Sequence, residues 1–440
     1  MRKLNLIIAA ASLFAVMASP TLAEDIAITN GRIITMGDAG TIEGGTILIA
    51  DGVIEAVGMD VTVPDGYRII DAGGMIVTPG LMNAYTMLGI LEIGLESATN
   101  DNTINSPSPF ARVTSEAVFS AAFDVSYGIN PKTMHIPIQR IEGLTRALVA
   151  PGTGSSIFAG QASVIDLSGD FDSITATRVA MVVSLGEAGK ARAGGARGGL
   201  YVTLIRALNE ALNYGRRGEG SLAGRERDSI LSLFDAEALV PVVEGDMPLI
   251  VHVSRAAEIL QVLALSHMFG ELDLILSGAR EGWMVADEIA AAGVSVILDP
   301  HANLPSSFEA LASTLYNAGR LSAAGVTIAF RSPDGDVAYR TRLVRQGAGN
   351  AVAHGMDWDA ALAAITINPA RMFGIDESYG TLETGKDADV VVWDGDPLEL
   401  MTNPVFVAIK GVEMVLESRQ TRLRDRYMDL DDQESRHQYR

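Results

Sequence analysis

Along residues 25–71 apolar and polar positions alternate in short runs, IAITNGRIITM, GGTILIADGVIEAVG and YRIIDAGG, broken by Asn30-Gly31, Gly44-Gly45, Asp51-Gly52 and Gly73-Gly74. Period-two runs of this length between such turn pairs predict the strands of a small sheet or sandwich. The same texture returns at 380–416, in GTLETGKDADVVVWDGDPLEL and NPVFVAIKGVEMVLE. Two β-rich ends around a different middle predict one small domain assembled from 24–78 and 376–418.

The middle, 79–375, reads as alternating strand and helix. Continuous apolar runs at 248–253, 272–277, 294–299 and 326–330 predict buried strands, with earlier ones at 144–149, 161–167 and 179–185. Helical stretches separate them. Two of these end alike, AAAGVSVILDP and LSAAGVTIAFRSP, with Gly293 and Gly325 placed to stop a helix before the next strand. Leu200, Leu204, Leu208 and Leu212 give a helix with one apolar stripe. Repeated units of this kind build a parallel sheet or barrel. The first barrel strand lies in IVTPGLMNAYTMLGILEIGLE at 76–96, where Ile76 and Val77 run into Pro79-Gly80 and an apolar run ends at the polar pair Tyr85 and Thr86. The C-terminal end of such a strand faces the mouth, where chemistry is placed.

Charge and composition narrow the classes of partner. There are 33 basic and 54 acidic residues, a net charge of −21, which argues against nucleic acid and anionic membranes as partners. The 440 residues contain no cysteine, so disulfides, thiolate metal ligands and a cysteine nucleophile are excluded. The opening, 1–23, has Arg2 and Lys3, an apolar core and small residues before Glu24, as an exported precursor does, so a soluble periplasmic or secreted protein is expected. The charged stretch 419–440 is expected to be a frayed surface helix or tail.

With the ends and the middle read, the chain resembles the amidohydrolase superfamily, and in particular its imidazolonepropionase-like branch. The residues that carry the likeness are TNGRIIT with ADGVIEAVG, the Pro79-Gly80-Leu81 motif, Thr366-Ile367-Asn368-Pro369-Ala370, and GTLETGKDADVVVWDGDP. The resemblance implies a distorted (β/α)8 barrel with a small β-sandwich from both termini. It also implies hydrolysis of non-peptide C–N bonds in cyclic or linear amides, with zinc or another divalent ion activating water.

The family's metal ligands come from strands one, four, five, six and eight. At those positions this chain has Asn83, Tyr85 and Met87 on strand one, Val182 on strand four, Ser277-Gly278 on strand six and Pro333 on strand eight, with Asp334 one residue late. Strand five keeps His252, the retained ligand position. One imidazole is too few for a zinc site, which needs three or more protein ligands. No cofactor is therefore expected from these residues, although the family's is zinc or another divalent ion. Either the chain is an amide hydrolase with an altered site, or it is a non-catalytic barrel that binds a small molecule, self-associates or partners an active relative.

Around the same mouth, Asp299 and His301 after strand seven, with Asp334 and Asp336 after strand eight, are candidates for a substitute site, Asp334 as its catalytic candidate; their alternative role is loop turning beside Pro300, Pro305 and Pro333, while His252 could bind a ligand or act as acid or base, or be a packed, hydrogen-bonded relic. Glu92, Arg280 and Arg331 are further pocket candidates, with salt bridging as their alternative. The glycine-rich island GEAGKARAGGARGG at 186–199 is expected to be a mobile loop over the mouth, with anion binding by Lys190, Arg192 and Arg197 as the second reading.

Overall fold

A computed structural model describes residues 24–104, 119–217, 229–333 and 338–428. The expected leader at 1–23, Asp334, Asp336 and 429–440 lie outside the described residues. Five strands come first: β1 (Ile26–Ile34), β2 (Thr41–Ala50), β3 (Val53–Gly58), β4 (Arg68–Asp71) and β5 (Ile76–Pro79). Eight follow: β6 (Leu81–Thr86), β7 (Leu144–Val149), β8 (Phe158–Asp166), β9 (Ile174–Ser184), β10 (Leu249–Val253), β11 (Leu274–Gly278), β12 (Ser295–Leu298) and β13 (Ile328–Phe330). Three close the chain: β14 (Val390–Trp393), β15 (Pro404–Ile409) and β16 (Val412–Glu413).

The strands fall into two sheets. One runs β16-β15-β14-β5-β1-β2-β3 with β4 also on β1, and the other runs in sequence order from β6 to β13. The first joins both ends of the chain, because β14 pairs antiparallel with β5, Val392 opposite Val77. Its apolar face buries Ile26, Ile28, Ile47, Ile49, Val77, Val390 and Val392 together.

The second sheet curls into a nearly closed barrel. Along its strands one set of residues packs against the surrounding helices, such as Leu249, Val251, Leu274 and Leu276 with Ile259 and Val262. The alternate set, Met82, Leu148, Val182, Ile250, Ile275, Ile297 and Ala329, packs on itself and fills the interior. This alternation follows from the two-residue repeat of a strand. Gly293 and Gly325 stop their helices with φ of 67° and 88°, as expected, and the Val294 and Val326 N–H groups return to Ile289 and Leu321.

One strand departs from the parallel pattern. β8 runs antiparallel to both β7 and β9. The connections at 150–157 and 167–173 are too short for a crossover helix, which needs about a dozen residues, so the chain can only turn back on itself.

The seam between β13 and β6 is closed by the segment after the helix Trp358–Ala363: Met82 N–H donates to Ile365 O at 2.7 Å and Phe330 N–H to Ala364 O at 2.9 Å. Asn83 completes the closure, its amide donating to Ser332 Oγ at 2.7 Å and Thr341 O at 3.0 Å. Between the sheets the chain passes through Gly80, where a Cβ would lie 2.0 Å from Thr145 Oγ1.

Candidate functional site

The apolar fill of the barrel ends one step below its C-terminal rim. The next residues on the same faces are polar: Ser184 after Val182, His252 after Ile250, Ser277 after Ile275, Asp299 after Ile297 and Arg331 after Ala329. Their heights agree, because His252 is in register with Ser184 on one side and with Ser277 on the other. Strand pleating therefore sets a polar ring on an apolar floor.

Tyr85 on β6 reaches into this ring from the opposite side. Its hydroxyl lies 3.0 Å from His252 Nε2 and donates to Pro151 O at 2.8 Å, and the two rings meet edge to face with centroids 5.0 Å apart. The Arg331 guanidinium stands 5.7 Å from the Tyr85 ring centre. Tyr85 is 4% exposed, so its ring is part of the packing rather than a flap over it. The Tyr85 N–H bonds Asn83 Oδ1 at 3.0 Å, which fixes the backbone that aims the phenol.

Elsewhere in the ring Ser184 shares a hydroxyl contact with Thr153. Ser277 is 1% exposed, and its Oγ has no hydrogen-bond partner among the described residues. Asp299 Oδ1 accepts the His301 N–H at 3.0 Å and lies 3.4 Å from His301 Nδ1, a loop-turning contact of the kind the prolines suggested. Arg280 and Asp299 line a small cleft with Pro300 and Asn317.

The remaining sequence candidates have other surroundings. Glu92 accepts from Asn130 Nδ2 at 2.6 Å, and its carbonyl meets His135 Nε2 at 2.8 Å, so its bonds lie in the loop after β6. Met87 Sδ takes the Asn102 amide at 3.1 Å, and Val182 is buried in the apolar floor.

The glycine-rich island forms a short helix, Gly186–Lys190, and then the start of the helix Arg197–Arg217. Arg192 clamps Gly154 O and Ala188 O, while Arg197 binds Glu258 and reaches Glu309 Oε2 at 3.3 Å. Burial pushes the Glu309 carboxyl up, against the Glu187 N–H and Arg197, which favour its charge. Two of the island's three cations are thus bound within the protein, which corrects the picture of a loose loop.

Tyr85 as a partner of His252 was absent from the sequence reading. The available signal was an aromatic hydroxyl at the end of an apolar strand, where a phenol can bond across the mouth.

The description of the Amidohydrolase family matches residues 243–416. Over 431 residues the chain is 25% identical to the imidazolonepropionase of Paracoccus denitrificans, covering 88% of this chain and 99% of that protein. A shorter match, 45% identical over 58 residues, is to an amidohydrolase of Hapsidospora irregularis and covers 13% of this chain and only 6% of that protein. The solved structure of an amidohydrolase from Thermotoga maritima MSB8 superposes with a TM-score of 0.76 at 24% identity, covering 89% of this chain and 99% of that one. Residues 243–416 thus match the Amidohydrolase family, the chain is similar along most of its length to an imidazolonepropionase, and its barrel with a sheet made from both termini is the fold of the Thermotoga maritima amidohydrolase.

Proposed function

We propose that this chain binds a small organic molecule at the barrel mouth, and that hydrolysis through a metal-bound hydroxide is not its working mechanism. The supporting observation is the buried Ser277 hydroxyl, unpartnered among the described residues, in a polar ring above an apolar floor. Leaving such a group unsatisfied costs about 1–3 kcal/mol, and a ligand's carbonyl or N–H recovers it.

The family's divalent ion fits these residues poorly. Its positions hold Tyr85, Met87, Val182 and Ser277 beside the single imidazole of His252, and among the described residues no group of three or more His, Cys, Asp or Glu side chains gathers. A borderline ion such as zinc requires more nitrogen, sulfur or carboxylate donors than that.

A second reading keeps the family's C–N hydrolysis with an altered site. It is favoured by His252 at the mouth and by the likeness to an imidazolonepropionase along most of the chain. A panel of cyclic and linear amides, followed by thermal shift and by chromatography for products, with and without zinc, decides between them. The binding reading expects ligand-dependent stabilisation that weakens in Ser277→Ala, no turnover, and no change in melting temperature on adding chelator, since a tightly held ion would stabilise the fold by mass action. Turnover that rises with zinc and disappears in His252→Ala supports the hydrolase instead.

A further inference from the structure

Strands β7, β9, β10 and β12 point the same way, since β8 runs against both of its neighbours and the others pair in parallel. The segments that follow them therefore meet at one rim of the barrel, that of the polar ring. The island 186–199 leaves β9 at this rim and is held from two sides. Arg192 bonds Gly154 O and, at 3.4 Å, Thr153 O, both in the segment after β7. Arg197 binds Glu258, in the first turn of the helix Ala256–Met268 after β10, and Glu309, in the segment after β12. In the eight-strand order β7 and β12 are five places apart, so the island reaches over the mouth between its two holds. The ring is covered to match, with Ser184 and Ser277 each 1% exposed.

One carboxylate joins the two ends of the island. Glu309 Oε2 accepts the Glu187 N–H at 2.9 Å and the Arg197 guanidinium at 3.3 Å. Its close approach needs Gly186, where φ is 64° and a Cβ would lie 2.6 Å from Glu309 Oε1. Little apolar packing supports these bonds, because between Gly189 and Leu200 no residue is fully buried. A segment held mainly by polar bonds opens at low cost compared with the core. Gly194 and Gly195, between the two arginines, have φ of 79° and 81° and nothing within 4 Å of an added Cβ, so the backbone has room to turn there. Burial pushes the Glu309 carboxyl up, so its hold carries a desolvation cost that release returns.

We propose that the island is a strap that gates the barrel mouth, with the Glu309 carboxylate as its clasp. While Glu309 holds Glu187 and Arg197 the polar ring is closed to solvent; release of that carboxylate lets 191–199 swing on Gly194 and Gly195 and admits a small molecule. Arg192, bound to the opposite side, stays in place as the fixed end. This deepens the binding reading above and rests on it only for the ligand; the gate itself is tested with no ligand present.

Because the chain contains no cysteine, a thiol placed in the ring reports access alone. The test is the rate at which Ser277→Cys, in the full chain, reacts with the neutral reagent dithiodipyridine at fixed pH. Labelling should be slow, and adding Glu309→Ala should accelerate it about tenfold or more, as the loss of a charge-assisted hydrogen bond predicts. Glu309→Gln, which keeps an oxygen for the Glu187 N–H and loses the charge facing Arg197, should fall between. Hydrogen exchange read by mass spectrometry should rise at 191–199 in the same variants while the β10 amides stay protected, which separates opening of the strap from loss of the fold. Should Glu309→Ala expose β10 as well, the comparison is made with Glu309→Gln alone. Labelling rates that do not change with residue 309, or island amides as protected as before, overturn the proposal. Accelerated labelling in a protein that binds no member of the amide panel would remove the binding reading and leave the gate standing, while binding with unchanged labelling would do the reverse.

Discussion

Ser277 concentrates what a single side chain says about this molecule. A buried hydroxyl with no partner among the described residues contributes nothing to folding that offsets its desolvation. Replacing it with alanine removes the unsatisfied group and almost no volume, so Ser277→Ala is expected to leave the melting temperature unchanged or to raise it, measured by calorimetry. A loss of more than about 1 kcal/mol would mean that the hydroxyl is satisfied after all. Gly80 makes the opposite case. An added methyl would meet Thr145 Oγ1 at 2.0 Å and its Cβ at 2.7 Å, with buried backbone on both sides. Gly80→Ala should cost about 1–3 kcal/mol in chemical denaturation, as overpacked cores do, and Thr145→Ser in the same chain should restore part of it. At this scale the sequence was legible where the signal was local. His252 could be placed at a strand end from LIVHVS alone, and Gly293 and Gly325 from the runs around them. Asn83 read only as a replaced aspartate, because the groups it stitches, Ser332 and Thr341, lie 249 and 258 residues away.

Between elements, the coupling of barrel to terminal sheet depends on Arg146 of β7. Its guanidinium, 2% exposed, binds Asp389 at 2.8 Å and Asp387 at 2.7 Å, just before β14, and Lys410 after β15 reaches back to Asp166 of β8 at 2.8 Å. Burial alone would lower the Arg146 pKa, but the two carboxylates raise it above the ordinary guanidinium value. Arg146→Met should therefore destabilise strongly, by about 3–5 kcal/mol, since it leaves Asp389 buried without its counter-charge. Pairing it with Asp389→Asn should recover much of that loss, and a double variant no better than the single one would argue against the pair as the cause. No periodicity in the sequence announces this contact, whose ends are 243 residues apart. The antiparallel β8 was within reach of the sequence, since connections of this length exclude a crossover helix, but its apolar run looks the same in either direction.

At the scale of the whole molecule, the two ends of the chain were recognisable as one β-rich unit because their texture matched, although neither end contains a clue to which strands meet. They meet at β5 and β14, reinforced by Trp393 Nε1 donating to Thr78 Oγ1 at 2.9 Å. A truncation ending near residue 376 strips β14 from β5 and leaves an unpaired apolar edge, so it is expected to aggregate in size-exclusion chromatography. A monomeric, cooperatively unfolding truncation would count against the shared sheet.

That same pairing sets a schedule on the ribosome. Thr78 and Trp393 are 315 residues apart, so at about 5–20 residues per second the edge of β5 waits on the order of 15–60 s before its partner has been made. Barrel strands can form during that interval, yet the sheet that continues directly into the first of them stays incomplete. Nascent chains arrested before residue 390 should consequently remain sensitive to protease within β1 to β5, and become resistant only once β14 and β15 have emerged, which pulse proteolysis of stalled complexes would resolve.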